Sequence, residues 1–576
     1  MKHLKKLTLL HSNDMHGDFM AKEVDDRLIG GVSMLSGYVG KVRREERNVV
    51  YSISGDMFRG SLIDSEYKGL STVEIMNILA PDVVTLGNHE VDYGIAHLLF
   101  IERCAKFPII NANIYLKNNG TRLFKSHEIL EIDGMKVLFI GLLPLFGGLM
   151  YVLFGNKRPT RFIREKLNVQ LEETARYYTM RPSVAEEIDD DSARGLFKYL
   201  ESYSGYRACR DTKTEYFPVG EDMYAKLIPE LEKAEKFIFL EYFIINSGQM
   251  WDSVLEVLRR KVAQGVDVRV IYDDVGCADY LPANYYQTLR SYGIKAMVFN
   301  KFVPVVSVVM NNRDHRKITV IDGKVGFIGG INISDEYINR KERFGHWKDT
   351  GLMFKGPGVE NLTLMFLEMW NAFEEKEGTY YDYVPEKYEE TGSERDGYIL
   401  SFSDSPLDDE NASESVYADI LYSANDYVYI TTPYLAIDRS LQNALCLAAK
   451  RGVDVRLITP GIPDKKMVYR LTRSYYAPLI RAGVKIYEYT PGFVHAKSYV
   501  ADDKLGVVGT INMDYRSLYL HFECGTLMYD SPAVIDLRND DLATMEKCRR
   551  IELSDCRTSF FGELIDRILR VLAPLL

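Results

Sequence analysis

The pattern of hydrophobic and polar positions repeats itself in the C-terminal half of the chain. Residues 236–274, KFIFLEYFIINSGQMWDSVLEVLRRKVAQGVDVRVIYDD, align with residues 426–461, DYVYITTPYLAIDRSLQNALCLAAKRGVDVRLITPG. Each copy opens with an aromatic and β-branched run, continues with apolar residues at helical spacing, and closes with a second apolar run after a glycine. The pattern predicts a strand, a helix and a strand, and it predicts them twice.

The duplicated frame continues beyond this unit. LRSYGIKAMVFN (289–300) corresponds to LIRAGVKIYEYT (479–490), and RDHRKITVIDGKVGFIGGINISDEY (313–337) corresponds to FVHAKSYVADDKLGVVGTINMDYRS (493–517). Strands that alternate with helices indicate a layered α/β architecture. Two such repeats that pair face to face can build one active site from two equivalent loops.

In the N-terminal part, three apolar runs each end in polar residues. The segments are LTLLHSNDMHG, VVYSISGDMFRGS and PDVVTLGNHEVDYG. Each predicts a strand that gives way to a loop carrying Asp, Asn or His, and three such loops can converge on one point. Carboxylate, imidazole and amide groups are suitable ligands for Mn, Fe or Zn, and two such metals can activate water and hold a phosphoryl group.

Between the two parts lies an uncharged run from Val137 to Gly155. It is compatible with a membrane span, with a buried strand followed by a loop, or with a junction between two unrelated pieces. Its length approaches the ~18 to 20 apolar residues that a spanning helix needs. Pro144 and four glycines within the run disfavour a single straight helix.

Composition narrows the function classes. The chain has 576 residues, which at ~150 residues per domain predicts about four domain-sized units. Its net charge of −11 argues against a protein that binds nucleic acid over its whole surface, so no nucleic-acid partner is expected. Seven cysteines without a CxxC pair indicate reduced thiols in a cytosolic setting.

The candidate chemistry lies in a histidine motif that occurs once per repeat. The motif comprises His315, Lys317 and Asp322 in the first copy, and His495, Lys497 and Asp502 in the second. Histidine and lysine two positions apart on a strand point to the same face, so they can contact one phosphate together. The aspartates follow the strands and are predicted to orient and charge-balance the histidines. Glycine-rich turns then end at Asn332 and Asn512, which are predicted to help hold the phosphoryl oxygens.

These residue types suit transfer at a phosphodiester without a metal. One histidine attacks phosphorus and forms a phosphohistidine, while the other protonates the departing alcohol and later deprotonates the incoming one. The residues alone leave open which histidine has which role.

The two motifs resemble the signature of the phospholipase D superfamily, and the surrounding segments resemble bacterial cardiolipin synthase from about residue 144 onward. The segments are PLFGGLMYVLFGNKR, NNRDHRKITVIDG, GGINISDEYI, HWKDTGLMFKGPGV, ITTPYLAID, VHAKSYVADD, TINMDYRSLYLHFE and RVLAPLL. The resemblance implies transfer of a phosphatidyl group between two phosphatidylglycerol molecules with release of glycerol, no cofactor, and His315 as the nucleophile. A phospholipase D-type phosphodiesterase is the alternative within the superfamily. His521 departs from the family pattern, in which an asparagine is expected before Phe-Glu.

The N-terminal segments resemble the 5′-nucleotidase branch of the calcineurin-like metallophosphoesterases. The resemblance implies that Asp14, His16, Asp56 and Asn88 are ligands of a divalent metal (Mn, Zn or Fe) and that His89 assists the leaving group. It covers about half of that family's catalytic domain, and the later histidine motif has no counterpart, so an incomplete metal site is expected. A metal-dependent nucleotide phosphoesterase activity, in a bifunctional fusion, is the second alternative function.

The predicted architecture is therefore α/β, with two phospholipase D-like repeats around one active site and a partial metallophosphoesterase-like unit before them. The predicted divisions are 1–144 for that unit, 145–160 for an apolar junction, 161–222 for an acidic linker or cap, and 223–400 and 401–576 for the repeats. The expected location is the cytoplasmic face of the cell membrane, with anionic lipid as partner, held peripherally or by the 137–155 segment.

Two further apolar segments bear on the membrane. FVPVVSVVM (302–310) is either a buried strand or a loop that enters lipid. The C-terminal FFGELIDRILRVLAPLL has a helical apolar stripe and is either a docked terminal helix or a membrane-surface helix.

Overall fold

The computed structural model describes the chain except for residues 1–4, 14, 16–18, 25–26, 58–67, 88, 92–93, 116–120, 142–160, 180, 302–311, 389–395, 408–409 and 574–576. The chain divides into two compact units, Met1–Val152 and Leu153–Leu576. Among the described residues, no helix is both long and apolar enough to cross a membrane.

The strands of the N-terminal unit are β1 (Thr8–Ser12), β2 (Lys22–Val24), β3 (Arg27–Ile29), β4 (Val49–Ser54), β5 (Val83–Thr85), β6 (Ile109–Ile110), β7 (His127–Ile132) and β8 (Met135–Ile140). They form a four-stranded parallel sheet in the order β1-β4-β5-β6 and two hairpins, β2-β3 and β7-β8. Its helices are Gly31–Glu45, Leu70–Leu79 and Ile95–Cys104, with a 3-10 turn at His89–Val91. The first four residues of the uncharged run thus belong to strand β8, and residues 142–155 of that run lie outside the described residues.

Among the described residues, the larger unit contains two large sheets with helices packed on them and two small two-stranded sheets. Its strands are β9 (Lys213–Phe217), β10 (Phe237–Tyr242), β11 (Asp267–Asp273), β12 (Lys295–Phe299), β13 (Lys317–Ile321), β14 (Val325–Gly329), β15 (His346–Lys348), β16 (Gly351–Lys355), β17 (Tyr398–Asp404), β18 (Tyr427–Thr431), β19 (Leu435–Ala436), β20 (Asp454–Pro460), β21 (Lys485–Tyr489), β22 (Gly492–Val494), β23 (Ser498–Ala501), β24 (Leu505–Gly509), β25 (Met513–Asp514), β26 (Glu523–Tyr529) and β27 (Cys548–Ile551). Its α-helices are Arg161–Thr179, Asp191–Ser204, Gly220–Leu231, Gln249–Ala263, Asp274–Cys277, Tyr285–Ser291, Val359–Phe373, Ala412–Ser423, Arg439–Arg451, Lys466–Ser474, Tyr476–Ala482, Tyr515–Tyr519, Pro532–Glu546 and Phe560–Val571.

The two sheets have the same strand order, as the internal repeat predicts. The first runs β12-β11-β10-β13-β14-β16-β9, and the second runs β21-β20-β18-β23-β24-β26-β17 with β27 added beside β21. In both, three parallel strands (β10 to β12, and β18, β20 and β21) adjoin antiparallel strands that carry the histidine motif. The duplication of sequence is thus a duplication of topology.

The amphipathic pattern explains why the helices pack where they do. Helix Gln249–Ala263 buries Met250, Trp251, Val254, Val257 and Leu258, which recur at spacings of three and four residues and so share one face. Helix Val359–Phe373 differs, because it is buried on nearly all sides and belongs to the main core. Its polar Asn361 is satisfied there, since Oδ1 accepts a hydrogen bond from the Tyr178 hydroxyl at 2.5 Å.

The region predicted as a linker or cap, 161–222, contains regular secondary structure. It contains helices Arg161–Thr179 and Asp191–Ser204, and strand β9 forms the edge of the first repeat's sheet by pairing with β16. One of its acidic residues, Asp190, caps helix Asp191–Ser204, because it accepts hydrogen bonds from the amides of Ser192 and Ala193 at 3.1 Å. The fold of the first repeat therefore begins before residue 223.

Candidate active site

The loop that carries His315 is held by the second repeat. His315 precedes β13, and its amide donates to the carbonyl of Phe522 at 2.9 Å, while the Phe522 amide donates to the carbonyl of Arg313 at 2.8 Å. Phe522 directly precedes β26 of the other sheet. The backbone of Phe522, in the second repeat, therefore holds the histidine loop of the first repeat.

The second histidine is held in the reciprocal way. The His495 amide donates to the carbonyl of Lys348, in the first repeat, at 2.6 Å. Immediately before it, β22 pairs in parallel with β15 of the first repeat. The two repeats thus exchange backbone hydrogen bonds at both histidines, and neither histidine loop is complete within its own repeat.

Each histidine ring is oriented by a carboxylate from the opposite repeat. His315 Nδ1 lies 2.9 Å from both carboxylate oxygens of Glu523, and His495 Nδ1 lies 2.6 Å from Asp349 Oδ2. The two carboxylates are fully buried. Since an ionised carboxylate only accepts hydrogen bonds, each Nδ1 carries the proton and each Nε2 keeps its lone pair for chemistry.

The predicted orienting role of Asp322 and Asp502 is therefore corrected. Asp322 accepts hydrogen bonds from the amides of residues 235–237 at 2.8 Å, and Asp502 accepts them from the amides of residues 425–427 at 2.7 to 2.9 Å. Both aspartates lie at the far end of the motif strand, in the left-handed region with φ of 54° and 52°. They tie the turn after the motif strand to the start of the neighbouring strand, β10 or β18.

The predicted phosphate-contacting residues are all buried near the histidines. The ammonium groups of Lys317 and Lys497 donate to the carbonyls of His315 and His495 respectively. Asn332 Oδ1 accepts from the amide of Ile244 at 2.9 Å and its Nδ2 donates to the Tyr337 hydroxyl at 2.8 Å. The Asn512 side-chain oxygen, by contrast, is buried without a hydrogen-bond partner among the described residues.

Both histidines line one cavity of about 600 Å³, a volume within the usual range for ligand pockets. The two predicted asparagines also line it, together with aromatic residues and several cations. The aromatic wall comprises Phe243, Tyr280, Tyr337, Phe344, Trp347, Tyr434, Phe493 and Tyr515, the cationic groups belong to Arg313, Arg343, Lys465 and Arg516, and the acidic groups belong to Asp279, Glu336, Asp464 and Asp514. The cavity can therefore receive a polar head group with apolar parts attached.

Burial disfavours positive charge at this site. It lowers the pKa of His495 to about 4, with the Lys497 charge contributing in the same direction, and it lowers the pKa of Lys497 to about 7 and of Lys317 to about 8. The pKa of His315 is also lowered well below its usual value, by burial and then by the Lys317 charge. A bound phosphodiester anion would oppose these shifts, because it stabilises the protonated forms.

Comparison with known proteins identifies the family. Residues 227–350 and 417–541, one segment per repeat, match the family described as "Cardiolipin synthase, PLD-like domain". A cardiolipin synthase of Geobacillus kaustophilus (strain HTA426) is 34% identical over 442 residues, which are 76% of this chain and 87% of that protein. The chain belongs to the cardiolipin synthase family.

Other relatives also match this chain over most of their own length. A cardiolipin synthase of Alkalihalophilus pseudofirmus is 32% identical over 498 residues, covering 82% of this chain and 98% of that protein. A Streptococcus mutans protein described as uncharacterized is 45% identical over 436 residues, covering 75% of this chain and 94% of that protein. Among solved structures, a phosphatidylserine synthase of Haemophilus influenzae Rd KW20 matches with a TM-score of 0.49 and 14% identity, covering 66% of this chain and 98% of that chain.

Sequence analysis missed the two orienting carboxylates of this cardiolipin synthase family member, although a signal was present. The segments HWKD (346–349) and LHFE (520–523) occupy equivalent places, since each ends in an acid two residues before the glycine that pairs with the last residue of β14 or β24. Extending the repeat alignment through these segments would have aligned Asp349 with Glu523. It would also have aligned Trp347 with His521.

In the N-terminal unit, the structure brings two of the three predicted loops together. Asp56, after β4, accepts a hydrogen bond from the amide of His89 at 3.0 Å. Glu90 accepts from the amides of Asp56, Met57 and Gly87 at 2.6 to 2.9 Å. The other predicted metal ligands, Asp14, His16 and Asn88, lie outside the described residues. Within the described part of this unit, no three His, Cys, Asp or Glu side chains have ligand atoms close together.

Proposed function

We propose that the chain transfers a phosphatidyl group from one phosphatidylglycerol molecule to another, which yields cardiolipin and glycerol. Membership of the cardiolipin synthase family supports this reaction, and the cavity supports the substrate class. The observation that carries the proposal is the pair of histidine–carboxylate contacts, His315 with Glu523 and His495 with Asp349, on the wall of one cavity.

In the first step, His315 Nε2 attacks the phosphorus of the donor lipid. A P–N bond forms and the P–O bond to the head-group glycerol breaks. The anionic donor favours protonation of His495 on Nε2 when it binds, and His495 gives this proton to the departing oxygen. Glu523 balances the positive charge that develops on the His315 ring, because it accepts the Nδ1 hydrogen bond throughout. Lys317, Lys497 and the two asparagines are proposed to hold the phosphoryl oxygens.

In the second step, His495 removes a proton from a glycerol hydroxyl of the second phosphatidylglycerol. That oxygen attacks the phosphohistidine, and the P–N bond breaks to regenerate His315. We assign the acid–base role to His495 because Asp349 favours its imidazolium form. Burial raises the pKa of the Asp349 carboxyl, yet His495 and Lys497 outweigh burial and hold it below its usual value. The reaction as proposed uses no cofactor.

The test is a transfer assay with purified protein and radiolabelled phosphatidylglycerol in vesicles without divalent metal. We expect cardiolipin and glycerol as products. His315→Ala should abolish both products and the acid-labile phosphoenzyme. His127→Ala, which alters an exposed histidine of the N-terminal unit, is the matched control and should retain activity. Phosphatidic acid as the sole product would favour a phospholipase D-type hydrolase and contradict the proposal.

We further propose that the enzyme works as a peripheral protein at the cytoplasmic face of the membrane, with helix Phe560–Val571 against the lipid. The helix is docked through the buried Leu569, whereas Leu564, Ile565 and Ile568 are 44 to 50% exposed. A cavity beside it of about 1230 Å³ is lined by the arginines Arg470, Arg473, Arg481, Arg557, Arg567 and Arg570 and by the acids Asp555, Glu563 and Asp566. Asp566 pairs with Arg470 and Glu563 pairs with Arg567, so the arginines outnumber the acids by three. An apolar stripe flanked by arginines fits an anionic bilayer.

This surface is next to the active site. Val468 and Leu471, on helix Lys466–Ser474, line the active-site cavity, as does Ala573, just after the terminal helix. Contact of the terminal helix with lipid would therefore place the cavity close to its substrate. The 137–155 segment is a further proposed contact with the membrane.

We also propose that the functional parts of the chain are residues 1–144, 145–160, 161–222, 223–400 and 401–576. Strand β9 lies in 161–222 and belongs to the sheet of the first repeat.

For residues 1–144, a metal-dependent nucleotide phosphoesterase related to 5′-nucleotidases is the second candidate function. The meeting of the Asp56 loop with the His89–Glu90 loop favours it. Manganese-dependent nucleotide hydrolysis that Asp56→Asn abolishes would support it, and absence of hydrolysis by the full chain would exclude it.

A further inference from the structure

His521, the departure from the family pattern, lies beside the proposed nucleophile. The ring centroids of His315 and His521 are 5.6 Å apart. His521 Nδ1 is 3.7 Å from Glu523 Oε1, which also lies 2.9 Å from His315 Nδ1. Potential ligand atoms of these three residues all lie within 4.8 Å of one another.

The His521 side chain is buried, and its contact with Glu523 is too long for a hydrogen bond. Only 10% of it is exposed, and neither ring nitrogen has a hydrogen-bond partner among the described residues. The ring lines the active-site cavity. The equivalent residue of the first repeat is Trp347, which packs against His495 at a centroid distance of 5.5 Å. The Trp347 indole nitrogen is also buried without a hydrogen-bond partner among the described residues. An indole nitrogen is only a donor, however, whereas an imidazole has a lone pair that can bind a metal ion.

We propose that His315, His521 and Glu523 form a binding site for a divalent transition-metal ion such as Zn²⁺, and that the bound ion inhibits the transfer reaction. Two imidazoles and a carboxylate are a common ligand set for zinc, with the fourth position left open. Ligands about 2.0 to 2.2 Å from a tetrahedral ion are about 3.3 to 3.6 Å apart, so the 3.7 Å separation of His521 Nδ1 and Glu523 Oε1 needs little adjustment.

Inhibition follows from the protonation of the His315 ring. Without metal, Nδ1 carries the proton that Glu523 accepts, and Nε2 has the lone pair that attacks phosphorus. A metal ion that takes the Nδ1 lone pair displaces this proton, and the neutral ring then carries its single proton on Nε2. That nitrogen can no longer form the P–N bond. Metal binding is independent of the proposed reaction, while its inhibitory effect rests on the proposed function.

The binding experiment uses Co²⁺ as a spectroscopic probe on the full chain, titrated and followed by visible d–d absorption, with Zn²⁺ as competitor. We expect one Zn²⁺-displaceable Co²⁺ site that His521→Asn weakens at least tenfold. His346→Asn alters a more exposed histidine of strand β15 and should leave this site unchanged. His521→Gln, with thermal melts of every variant, separates ligand loss from misfolding. Unchanged Co²⁺ binding in folded His521→Asn and His521→Gln would overturn the site.

The kinetic experiment measures cardiolipin formation in zinc-buffered vesicles, with each variant normalised to its own metal-free rate. Zn²⁺ should inhibit the unmodified protein and His346→Asn, and the inhibition constant should rise at least tenfold in His521→Asn. Co²⁺ binding without inhibition would refute the regulatory part. If no variant makes cardiolipin, the proposed function fails, and the Co²⁺ titration still decides the site. Asp56→Asn, tested in parallel, shows whether the N-terminal unit contributes to the inhibition by Zn²⁺.

Discussion

Replacing Asp349 by Asn tests whether the orienting carboxylates come from the opposite repeat. Asp349 accepts the His495 Nδ1 hydrogen bond at 2.6 Å, and both groups are buried. Asparagine keeps an acceptor oxygen of similar shape but removes the charge. A hydrogen bond to a charged group contributes about 1.5 to 3 kcal/mol and a neutral one about 1 kcal/mol, so the loss is about 0.5 to 2 kcal/mol, or roughly a 2- to 30-fold fall in kcat.

The matched variant is Asp502→Asn, at the position that the sequence predicts as the orienting residue. Asp502 accepts hydrogen bonds from three backbone amides, so this change should lower stability by about 1 to 3 kcal/mol. It should leave kcat per folded molecule close to that of the unmodified protein. Initial rates of cardiolipin formation and urea unfolding curves for both variants give the comparison. The reasoning is refuted if Asp349→Asn retains full kcat, or if folded Asp502→Asn loses kcat by more than Asp349→Asn does.

Three further predictions concern pH and the membrane. The kcat/KM for phosphatidylglycerol should fall between about pH 7 and 9, because Lys497 (pKa about 7) and Lys317 (pKa about 8) lose their charge there. The kcat should fall only at higher pH, because the bound anion raises these pKa values. A pH-independent kcat/KM over this range would contradict the prediction. The free energy of unfolding should decrease as pH falls from 6.5 towards 4. Burial lowers the pKa of His495 and of His521 to about 4, so the unfolded chain binds more protons than the folded chain in this pH range. The decrease is up to about 2 kcal/mol per histidine at pH 5, and urea titrations should show a smaller decrease for His521→Asn. Ile568→Glu should reduce co-flotation with phosphatidylglycerol vesicles several-fold without changing the thermal melting temperature, and unchanged flotation would show that the terminal helix does not contact lipid.

The local sequence pattern is sufficient to predict the strands and helices of the repeats, because each of them has its own hydrophobic periodicity. The VDVRVIY and VDVRLIT runs form β11 and β20, and the duplicated frame forms two sheets of equal strand order. The acidic composition of residues 161–222 did not indicate the helices and the strand that the structure has there. Asp190 caps a helix, a role that composition alone does not distinguish from that of a solvated linker residue.

The sequence by itself determined the family, the two histidine motifs, the duplication and the class of chemistry, because these depend on residue types at short, repeated spacings. Tertiary structure alone decided which carboxylate serves which histidine. Asp502 lies seven positions from His495 but at the other end of the strand, whereas Asp349 is 146 positions away and within 2.6 Å. Orientation of a ring depends on distance in space, and here that distance is set by hydrogen bonds that the two repeats exchange.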